Sequence, residues 1–189
     1  MKKIAIFASG NGTNAENIIK YFNQNLTIEV SLIATNNQFS KVLERAKKNH
    51  IPTIVFSKEE LNGGQILTRL KSEQINLIVL AGFLLKIPRK ITKQYFNRII
   101  NIHPSLLPLY GGKGMYGLYV HQKVFDAKEK ETGITIHYVN AKYDDGKIIF
   151  QAKCDIKANM GVKEIAKKVH KLEMKFFPRI IENILNEQD

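Results

Sequence analysis

An amide and an imidazole stand two residues apart at the end of an apolar run that has the character of a strand. The run RIINIHP covers residues 98–104, and in a strand Asn101 and His103 would point to the same face. These groups can bind and protonate an oxyanion that develops on an attacked carbonyl. Pro104 and Pro108 would then end the strand and stiffen the loop that follows.

A single histidine at a strand end is more often a satisfied surface or core residue than a catalytic one. A carboxylate within reach would favour the charged imidazole and raise its pKa toward the working pH. The segment AKYDDG offers two such groups, Asp144 and Asp145, at the tip of a predicted hairpin. The residues therefore predict a catalytic group made of Asn101, His103 and one of these two acids.

Small and polar residues follow the first predicted strand, in the segment SGNGTN at residues 9–14. Such a backbone can approach a ligand closely, and the N–H groups that open the next helix can bind a phosphate. The segment is not the dinucleotide-binding motif G-x-G-x-x-G, because Ala15 stands where the third glycine would be. It also lacks the lysine of a P-loop. We expect a phosphate site that a side chain at position 12 would block. The alternative is a plain turn with Thr13 or Asn14 as the helix cap.

Strand-like runs alternate along the chain with segments of helical period. This alternation predicts right-handed crossovers and an α/β fold with a doubly wound, mostly parallel sheet, whose ligands bind beyond the carboxyl ends of the strands. The strand-like runs are KIAIFAS, TIEVSLIATN, PTIVFS, INLIVLAGF and RIINIHP, and helical segments between them include TNAENIIKYF and SKVLERAKKN.

The last third of the chain predicts a β-hairpin and a long helix. GITIHYVN and KIIFQAKCDI have strand character, and the residues between them favour a turn. The helix is expected from about Val162 to Leu185, because apolar residues recur there on one stripe. Pro178 lies inside this pattern and should kink or restart the helix.

Length and composition indicate one domain over residues 1–189, since 44% hydrophobic residues can build one sizeable core. Cys154 is the only cysteine, which excludes an internal disulfide and favours a reducing, cytoplasmic location. The start MKKIAIFASG has an apolar run of about five residues, shorter than the roughly 7–15 of a signal peptide. No stretch approaches the ~20 apolar residues of a membrane helix. The five histidines are scattered and predict no metal site.

The chain is strongly basic, with 29 Lys and Arg against 17 Asp and Glu and a formal net charge of +12. Such a charge favours anionic partners, including nucleic acid, phosphorylated metabolites and polyglutamate chains. The lysines are spread along helical segments without an uninterrupted basic block, so a solvated surface explains them better than a nucleic-acid interface.

Four motifs in this order and spacing resemble the glycinamide ribonucleotide transformylases, the folate-dependent formyltransferases of purine synthesis. They are SGNGTN, VLAGF, NIHPSLLP and HYVNAKYDDGKIIFQ, and the similarity covers essentially the whole chain. The resemblance implies a Rossmann-like formyltransferase fold. It also implies transfer of a formyl group from 10-formyltetrahydrofolate to the amine of glycinamide ribonucleotide.

The resemblance also implies roles for individual residues. His103 would be the general acid, Asn101 would hold the oxyanion, and Asp144 would orient His103 and raise its pKa, because Asp145 falls at the variable position of the motif. The ribonucleotide would be bound by Gly12, Thr13, Asn14 and Glu173. The folate would be bound by Asn101 and by two segments that recognise it mainly through the backbone, Leu84, Leu85, Lys86 and Ile87 in the first and Asn140, Ala141, Lys142 and Tyr143 in the second.

Some residues depart from the family pattern. Tyr119 replaces a histidine that many members carry two residues before His121, and Lys58 is the nearest cation where an arginine often contacts folate. The loop YGGKGMYG, residues 110–117, is a glycine-rich variant that could close over substrate. We expect a monomer or weak homodimer with small-molecule partners.

Three other functions compete with this prediction. A methionyl-tRNA formyltransferase would share Asn101, His103 and Asp144 and would exploit a basic surface, but normally has a further C-terminal domain. A formyltetrahydrofolate hydrolase would carry a regulatory domain before the first strand. A nucleic-acid binding module would interleave aromatic and basic residues, whereas the Tyr and Phe residues here lie mostly on apolar stripes.

Overall fold

A computed structural model describes residues 1–187 of the chain. The described residues form seven strands and seven helices, which alternate through most of the chain. In chain order they are β1 Lys2–Phe7, α1 Thr13–Phe22, β2 Ile28–Thr35, α2 Val42–Lys48, β3 Thr53–Val55, α3 Lys58–Gly63, α4 Gln65–Ser72, β4 Leu77–Leu80, α5 Arg89–Gln94, β5 Ile99–His103, α6 Leu118–Asp126, β6 Glu131–Tyr138, β7 Ile148–Asp155 and α7 Val162–Asn186.

The strands form one sheet in the order β3-β2-β1-β4-β5-β6-β7. Strands β1 to β5 pair in parallel, whereas β6 pairs antiparallel with β5 and β7 antiparallel with β6. The chain winds from β1 out to β3 and then returns to place β4 on the other side of β1. The predicted doubly wound, mostly parallel sheet is confirmed, and its strand order reverses between β1 and β4, where such sheets bind ligands.

Strand β1 shows how the sequence builds a core on each face of the sheet. Ile4 and Ile6 are fully buried against side chains of α1, α2 and α7, whereas Phe7 is buried on the opposite face with side chains of α3, α4 and α5. A fully buried side chain of this size contributes roughly 1.5–3 kcal/mol through the hydrophobic effect. A strand that is apolar on both faces is thus fixed at the centre of the sheet.

The predicted hairpin is formed by β6 and β7, but its loop is longer than the predicted turn. The loop covers residues 139–147 and is closed by a hydrogen bond from the Tyr138 N–H to the Lys147 carbonyl (2.9 Å). A Cβ at Gly146 would overlap the Tyr138 carbonyl, so only glycine fits there. The aspartates of AKYDDG therefore lie in a loop that can reach other parts of the fold.

Helix α7 runs without interruption through Pro178, so the predicted restart is wrong. A proline has no N–H and leaves the carbonyl four residues earlier, here that of Met174, without its helical partner. The side-chain amide of Asn17 in α1 donates a hydrogen bond to this carbonyl at 2.8 Å. A contact between two helices therefore satisfies the group that the proline leaves free.

Candidate active site

The three predicted catalytic side chains lie together beside β5. Asn101 and His103 belong to this strand, and Asp144 comes from the β6–β7 loop. His103 Nδ1 lies 3.6 Å from Asp144 Oδ2, and Asn101 Nδ2 lies 3.5 Å from Asp144 Oδ1. Because β6 ends opposite Ile100, the loop must fold back along β5 for Asp144 to reach His103.

The contacts of His103 define which ring nitrogen carries a proton. Nε2 lies 2.7 Å from the carbonyl oxygen of Tyr110, which can only accept, so Nε2 carries the hydrogen. The residue is 3% exposed, and this burial lowers the pKa of His103, although Asp144 and the Tyr110 carbonyl favour the charged form. Asp144 raises the pKa of His103, as expected, but burial is the larger effect and the net shift is downward. Burial therefore favours the neutral imidazole, and Asp144 lies beside its Nδ1 atom.

Asp144 is ionised despite its burial. Burial alone would raise the pKa of this carboxyl, but the contacts with His137, His103 and the Gly112 N–H outweigh it and hold the pKa below its usual range. The Gly112 N–H donates to Asp144 Oδ2 at 2.9 Å, and His137 Nε2 lies 3.6 Å from Oδ1. A fixed negative charge thus stands next to His103.

Asp145 points away from the site. Its side chain is 49% exposed and lies 3.7 Å from the Lys142 ammonium and 3.1 Å from the Asn140 amide. The backbone places the two neighbouring acids in different surroundings, because Asp144 has a left-handed φ of 51°. Of the two carboxylates that the residues left open, Asp144 is the one that contacts His103.

His137 is a site residue that the sequence reasoning did not identify. It faces Asn101 across the antiparallel pairing of β5 and β6, and its Nδ1–H donates to the Tyr138 carbonyl at 2.8 Å. Its Nε2 is then free to accept a hydrogen bond from the Asn101 amide at 3.1 Å. His137 therefore fixes the orientation of the Asn101 side chain. Its position in the strand-like run GITIHYVN was visible, but its pairing partner was not.

The predicted phosphate turn joins β1 to α1. Gly12 caps the helix with a left-handed φ of 69° and no side-chain hydrogen bond, so the alternative of a Thr13 or Asn14 cap is not found. A Cβ at Gly12 would lie 2.5 Å from Val42 Cγ2. Bulk at Gly12 would therefore push against helix α2, whereas the expectation that it blocks a phosphate stays a prediction.

Neighbouring elements brace this turn. The Ser9 hydroxyl donates to the Asn36 side chain (2.6 Å) and accepts from the Leu84 N–H (3.1 Å), which ties the turn to the segment after β4. Arg45 Nε donates to the Asn11 carbonyl at 2.7 Å, and its guanidinium also pairs with Glu16. The turn is thus held in position from β2, α2 and β4.

Glu173 lies next to the turn. Its Oε2 accepts hydrogen bonds from the Asn14 amide (2.9 Å) and from His170 Nδ1 (2.8 Å). No lysine forms an ion pair with Glu173 within residues 1–187. The carboxylate instead connects α7 with the start of α1.

These groups line one cleft of about 790 Å³ at the point where the strand order reverses. The glycine-rich turn forms one part of the cleft wall, and the Asn101–His103–Asp144 group forms another. Residues 112–117 of the glycine-rich loop also line the cleft. His121 lines the cleft as well, is 6% exposed, and has no hydrogen-bond partner for its Nδ1 among the described residues. Tyr119 is half exposed and contacts Lys123, whose ammonium lies 5.2 Å from the ring centre.

The two predicted folate segments reach the cleft only in part. In the first, Leu84 lines the cleft, Ile87 is buried in the core and Leu85 packs against that core. The ammonium of Lys86 lies 5.9 Å from the ring centre of Tyr143, which connects the two segments.

In the second segment, Tyr143 lines the cleft with Asp144. Asn140 and Ala141 line a separate basic groove of about 830 Å³ beside α5, and Lys142 is exposed. The loop therefore has one side on the cleft and the other on this groove.

Residues 1–187 contain neither a metal-binding cluster nor a membrane-spanning helix. No group of three or more His, Cys, Asp or Glu side chains in this part of the chain is arranged to hold a metal ion. No helix described there is long and apolar enough to cross a membrane.

Comparison with known proteins gives concordant results. The chain is 36% identical to the phosphoribosylglycinamide formyltransferase of Bacillus subtilis over 98% of its own length and 95% of that protein. It is 35% identical to the chloroplastic enzyme of the same name from Arabidopsis thaliana, over 99% of this chain but 66% of the plant protein.

A solved structure with the same name shares the fold. The phosphoribosylglycinamide formyltransferase of Bacillus halodurans superposes with a TM-score of 0.89 at 34% identity, covering 100% of this chain and 97% of the other. The family model described as formyl transferase matches residues 2–181. The resemblance predicted from the motifs is confirmed, and the chain belongs to the formyl transferase family.

Proposed function

We propose that this protein transfers the formyl group of 10-formyltetrahydrofolate to the amine of glycinamide ribonucleotide, in the de novo synthesis of purines. The products are formylglycinamide ribonucleotide and tetrahydrofolate. One observation carries the proposal: the Asn101–His103–Asp144 group and a glycine-rich helix start line the same cleft. Carbonyl chemistry and the binding of a phosphorylated acceptor can therefore occur side by side.

His103 moves the proton in this reaction. The amine nitrogen attacks the formyl carbon, the carbonyl electron pair moves to oxygen, and the amine gives a proton to Nδ1 of the neutral imidazole. The resulting imidazolium faces the ionised Asp144 across the present 3.6 Å. When the bond from carbon to N10 of the folate breaks, the same proton passes to N10 and the carbonyl re-forms. His103 thus acts as the general acid of the second step and returns to its starting state.

Asn101 stabilises the oxyanion. One N–H of its amide is held by His137 Nε2 at 3.1 Å, whereas the contact with Asp144 is long, at 3.5 Å. The second N–H is therefore available to the developing negative charge without reorientation of the side chain. Donors that are fixed in advance in this way typically contribute a factor of about 10²–10³ to turnover.

The acceptor is held by the other part of the cleft. The N–H groups at the start of α1, at Gly12, Thr13 and Asn14, bind its phosphate. Glu173 accepts hydrogen bonds from the ribose hydroxyls, because its carboxylate already lies beside Asn14. The backbone of residues 84–87 and 140–143 binds the polar edge of the folate.

The remaining features follow from the proposed reaction. The substrates are two small molecules, no metal ion takes part, and neither nucleic acid nor a membrane is a partner. A single domain over residues 1–189 carries the whole reaction in the cytoplasm, as a monomer or weak homodimer.

The test is a transfer assay with three acceptors. The purified protein receives 10-formyltetrahydrofolate, or its slower dideaza analogue, and loss of the formyl group is followed by absorbance. Glycinamide ribonucleotide, water and initiator methionyl-tRNA are compared as acceptors. Transfer to the ribonucleotide alone supports the proposal. Activity only with water or only with tRNA would show that the acceptor is not the ribonucleotide. No activity with any of the three acceptors would refute formyl transfer.

A further inference from the structure

The carbonyl oxygen that binds His103 belongs to a residue with an unusual backbone conformation. Tyr110 has a left-handed φ of 56°, which residues with a bulky side chain adopt only at a cost. Its carbonyl accepts a hydrogen bond from His103 Nε2 at 2.7 Å. Contacts elsewhere in the structure must therefore hold this part of the backbone in place.

Side chains restrain the loop before Tyr110, but few are available after it. The Ser105 hydroxyl donates to the Leu109 carbonyl at 2.7 Å, and the Leu107 N–H donates to the Thr135 hydroxyl at 2.9 Å. Three of the four residues that follow Tyr110 are glycines, which have no side chain to anchor the loop. Tyr110 is thus the last residue before this stretch whose side chain can fix the backbone.

The side chain of Tyr110 reaches the turn that follows α6. Its hydroxyl donates a hydrogen bond of 2.6 Å to Glu129 Oε1, and this contact raises the pKa of Tyr110 to about 12. The Glu129 N–H donates in turn to the carbonyl of Val124, a buried residue of α6, at 3.3 Å. The phenol therefore connects the backbone beside His103 to the end of a packed helix.

The position of the Tyr110 carbonyl decides which nitrogen of His103 carries the hydrogen of the neutral ring. Two acceptors compete for this hydrogen, because Asp144 Oδ2 lies 3.6 Å from Nδ1. The carboxylate is the stronger acceptor, but 3.6 Å is too long for a hydrogen bond, whereas the 2.7 Å between Nε2 and the carbonyl is not. The hydrogen stays on Nε2 only while the carbonyl keeps its place.

We infer that Tyr110 is a positioning residue for His103 and that Glu129 holds it in place. The contact between the phenol and Glu129 keeps the Tyr110 carbonyl on Nε2, so that Nδ1 is free to take the proton of the attacking amine. Without the contact the hydrogen would move to Nδ1, next to Asp144, and Nδ1 could then accept no proton. This inference rests on the proposed function, because it takes His103 to be the group that moves the proton.

The test determines the tautomer by nitrogen-detected histidine NMR of the free protein, at a pH above the midpoint of His103. The two neutral tautomers give different shifts at Nδ1 and Nε2, and His103→Ala assigns the signals. Tyr110→Phe and Glu129→Ala each remove the hydrogen bond, whereas Glu129→Gln keeps an oxygen that can accept from the phenol.

The charges around His103 are the same in all these variants. The titratable side chains that act on it come from the β6–β7 loop, β6, α6 and α7, and they are Asp144, His137, His121 and Glu173. None of them is replaced, so a change of tautomer reports on the Tyr110 carbonyl.

Tyr21→Phe is the matched control. The Tyr21 hydroxyl donates to Glu182 Oε2 at the same distance of 2.6 Å, in a contact between α1 and α7. Tyr21 is not among the residues that line the cleft. Loss of this phenol should therefore leave the tautomer of His103 and the turnover unchanged.

In the wild type the neutral ring should carry its hydrogen on Nε2. In Tyr110→Phe and in Glu129→Ala a measurable share should move to Nδ1. The kcat for formyl transfer should fall at least about tenfold with a smaller change in KM, as expected when a reacting group is misplaced. Glu129→Gln should retain the wild-type tautomer and turnover. The double variant should lose no more than either single variant, because both remove one contact.

A ring that keeps its hydrogen on Nε2 in both Tyr110→Phe and Glu129→Ala would overturn the inference. An equal change in Tyr21→Phe, or a Glu129→Gln variant that behaves like Glu129→Ala, would overturn it as well. The tautomer is measured without any substrate, so its outcome is distinct from a failure of the three-acceptor assay.

Discussion

The backbone N–H of Gly112 donates a hydrogen bond of 2.9 Å to the same Asp144 oxygen that lies 3.6 Å from His103. The glycine-rich loop is therefore attached to the carboxylate beside the proton-transferring imidazole. Tyr110, two residues earlier, holds the other side of that imidazole through its carbonyl oxygen. One short stretch of loop thus fixes both partners of the pair.

Replacement of Asp144 by Asn should reduce turnover by at least ~10²-fold, because the imidazolium formed during the reaction loses the charge that stabilises it. His103→Ala should act similarly, and both should change the KM for the ribonucleotide less than kcat. Steady-state kinetics measures both effects. Asp145→Asn is the matched control and should be nearly normal, since its side chain is outside the site. Near-normal turnover in Asp144→Asn or His103→Ala would refute the proposed proton path.

The titration of His103 should have its midpoint below pH 6.5, because burial lowers the pKa of this imidazole. Asp144 acts in the opposite sense, so Asp144→Asn should move the midpoint further down. Nitrogen-detected histidine NMR on the free protein, with His103→Ala used to assign the signal, measures both values. A wild-type midpoint above 6.5, or an upward shift in Asp144→Asn, would contradict the assigned electrostatics.

Gly12→Ala should weaken both the fold and acceptor binding. The new Cβ would lie 2.5 Å from Val42 Cγ2 in a left-handed conformation, and overpacking of this kind costs roughly 1–3 kcal/mol of unfolding free energy. Gly10→Ala in the same turn is the control, because nothing lies within 4 Å of its Cβ position. Urea unfolding and ribonucleotide KM report the two effects. Equal stability of the two variants would show that α2 does not restrain the turn.

Asn17→Ala should lower the unfolding free energy by about 1–3 kcal/mol, because it leaves the carbonyl of Met174 unpaired between two helices. Pro178→Ala restores an N–H that can bond to this carbonyl within α7. In the Pro178→Ala background, Asn17→Ala should therefore cost less. A double-mutant cycle by urea unfolding measures the coupling, and strictly additive effects would show that the contact does not compensate for the proline.

Much of the fold was predictable because its elements have strong local patterns. The run INLIVLAGF is apolar on both faces, which requires a strand covered by helices on each side, and β4 lies next to β1 with that environment. The restart at Pro178 was wrongly predicted because the rule for proline is local. The compensating amide belongs to Asn17, more than 150 residues earlier in the chain.

The candidate site was predictable in its strand residues and less so in its loops. Asn101 and His103 share a face because successive side chains of a strand point to opposite faces. The partnership of Asn101 with His137 depends on the register of β5 and β6, which the sequence does not specify. The net pKa shift of His103 depends on its burial in the folded chain, which the local sequence does not reveal.

The order of the strands has a consequence for substrate length. The glycine-rich turn extends β1, the Asn101–His103 pair lies on β5, and only β4 separates the two strands. Two strand spacings of roughly 4.8 Å place the two functions about 10 Å apart across the sheet. Because the spacing of hydrogen-bonded strands is fixed, the sheet sets the distance between the phosphate site and the Asn101–His103 pair. An acceptor whose nucleophile lay one or two bonds nearer to its phosphate would be anchored correctly and still fall short of the formyl carbon.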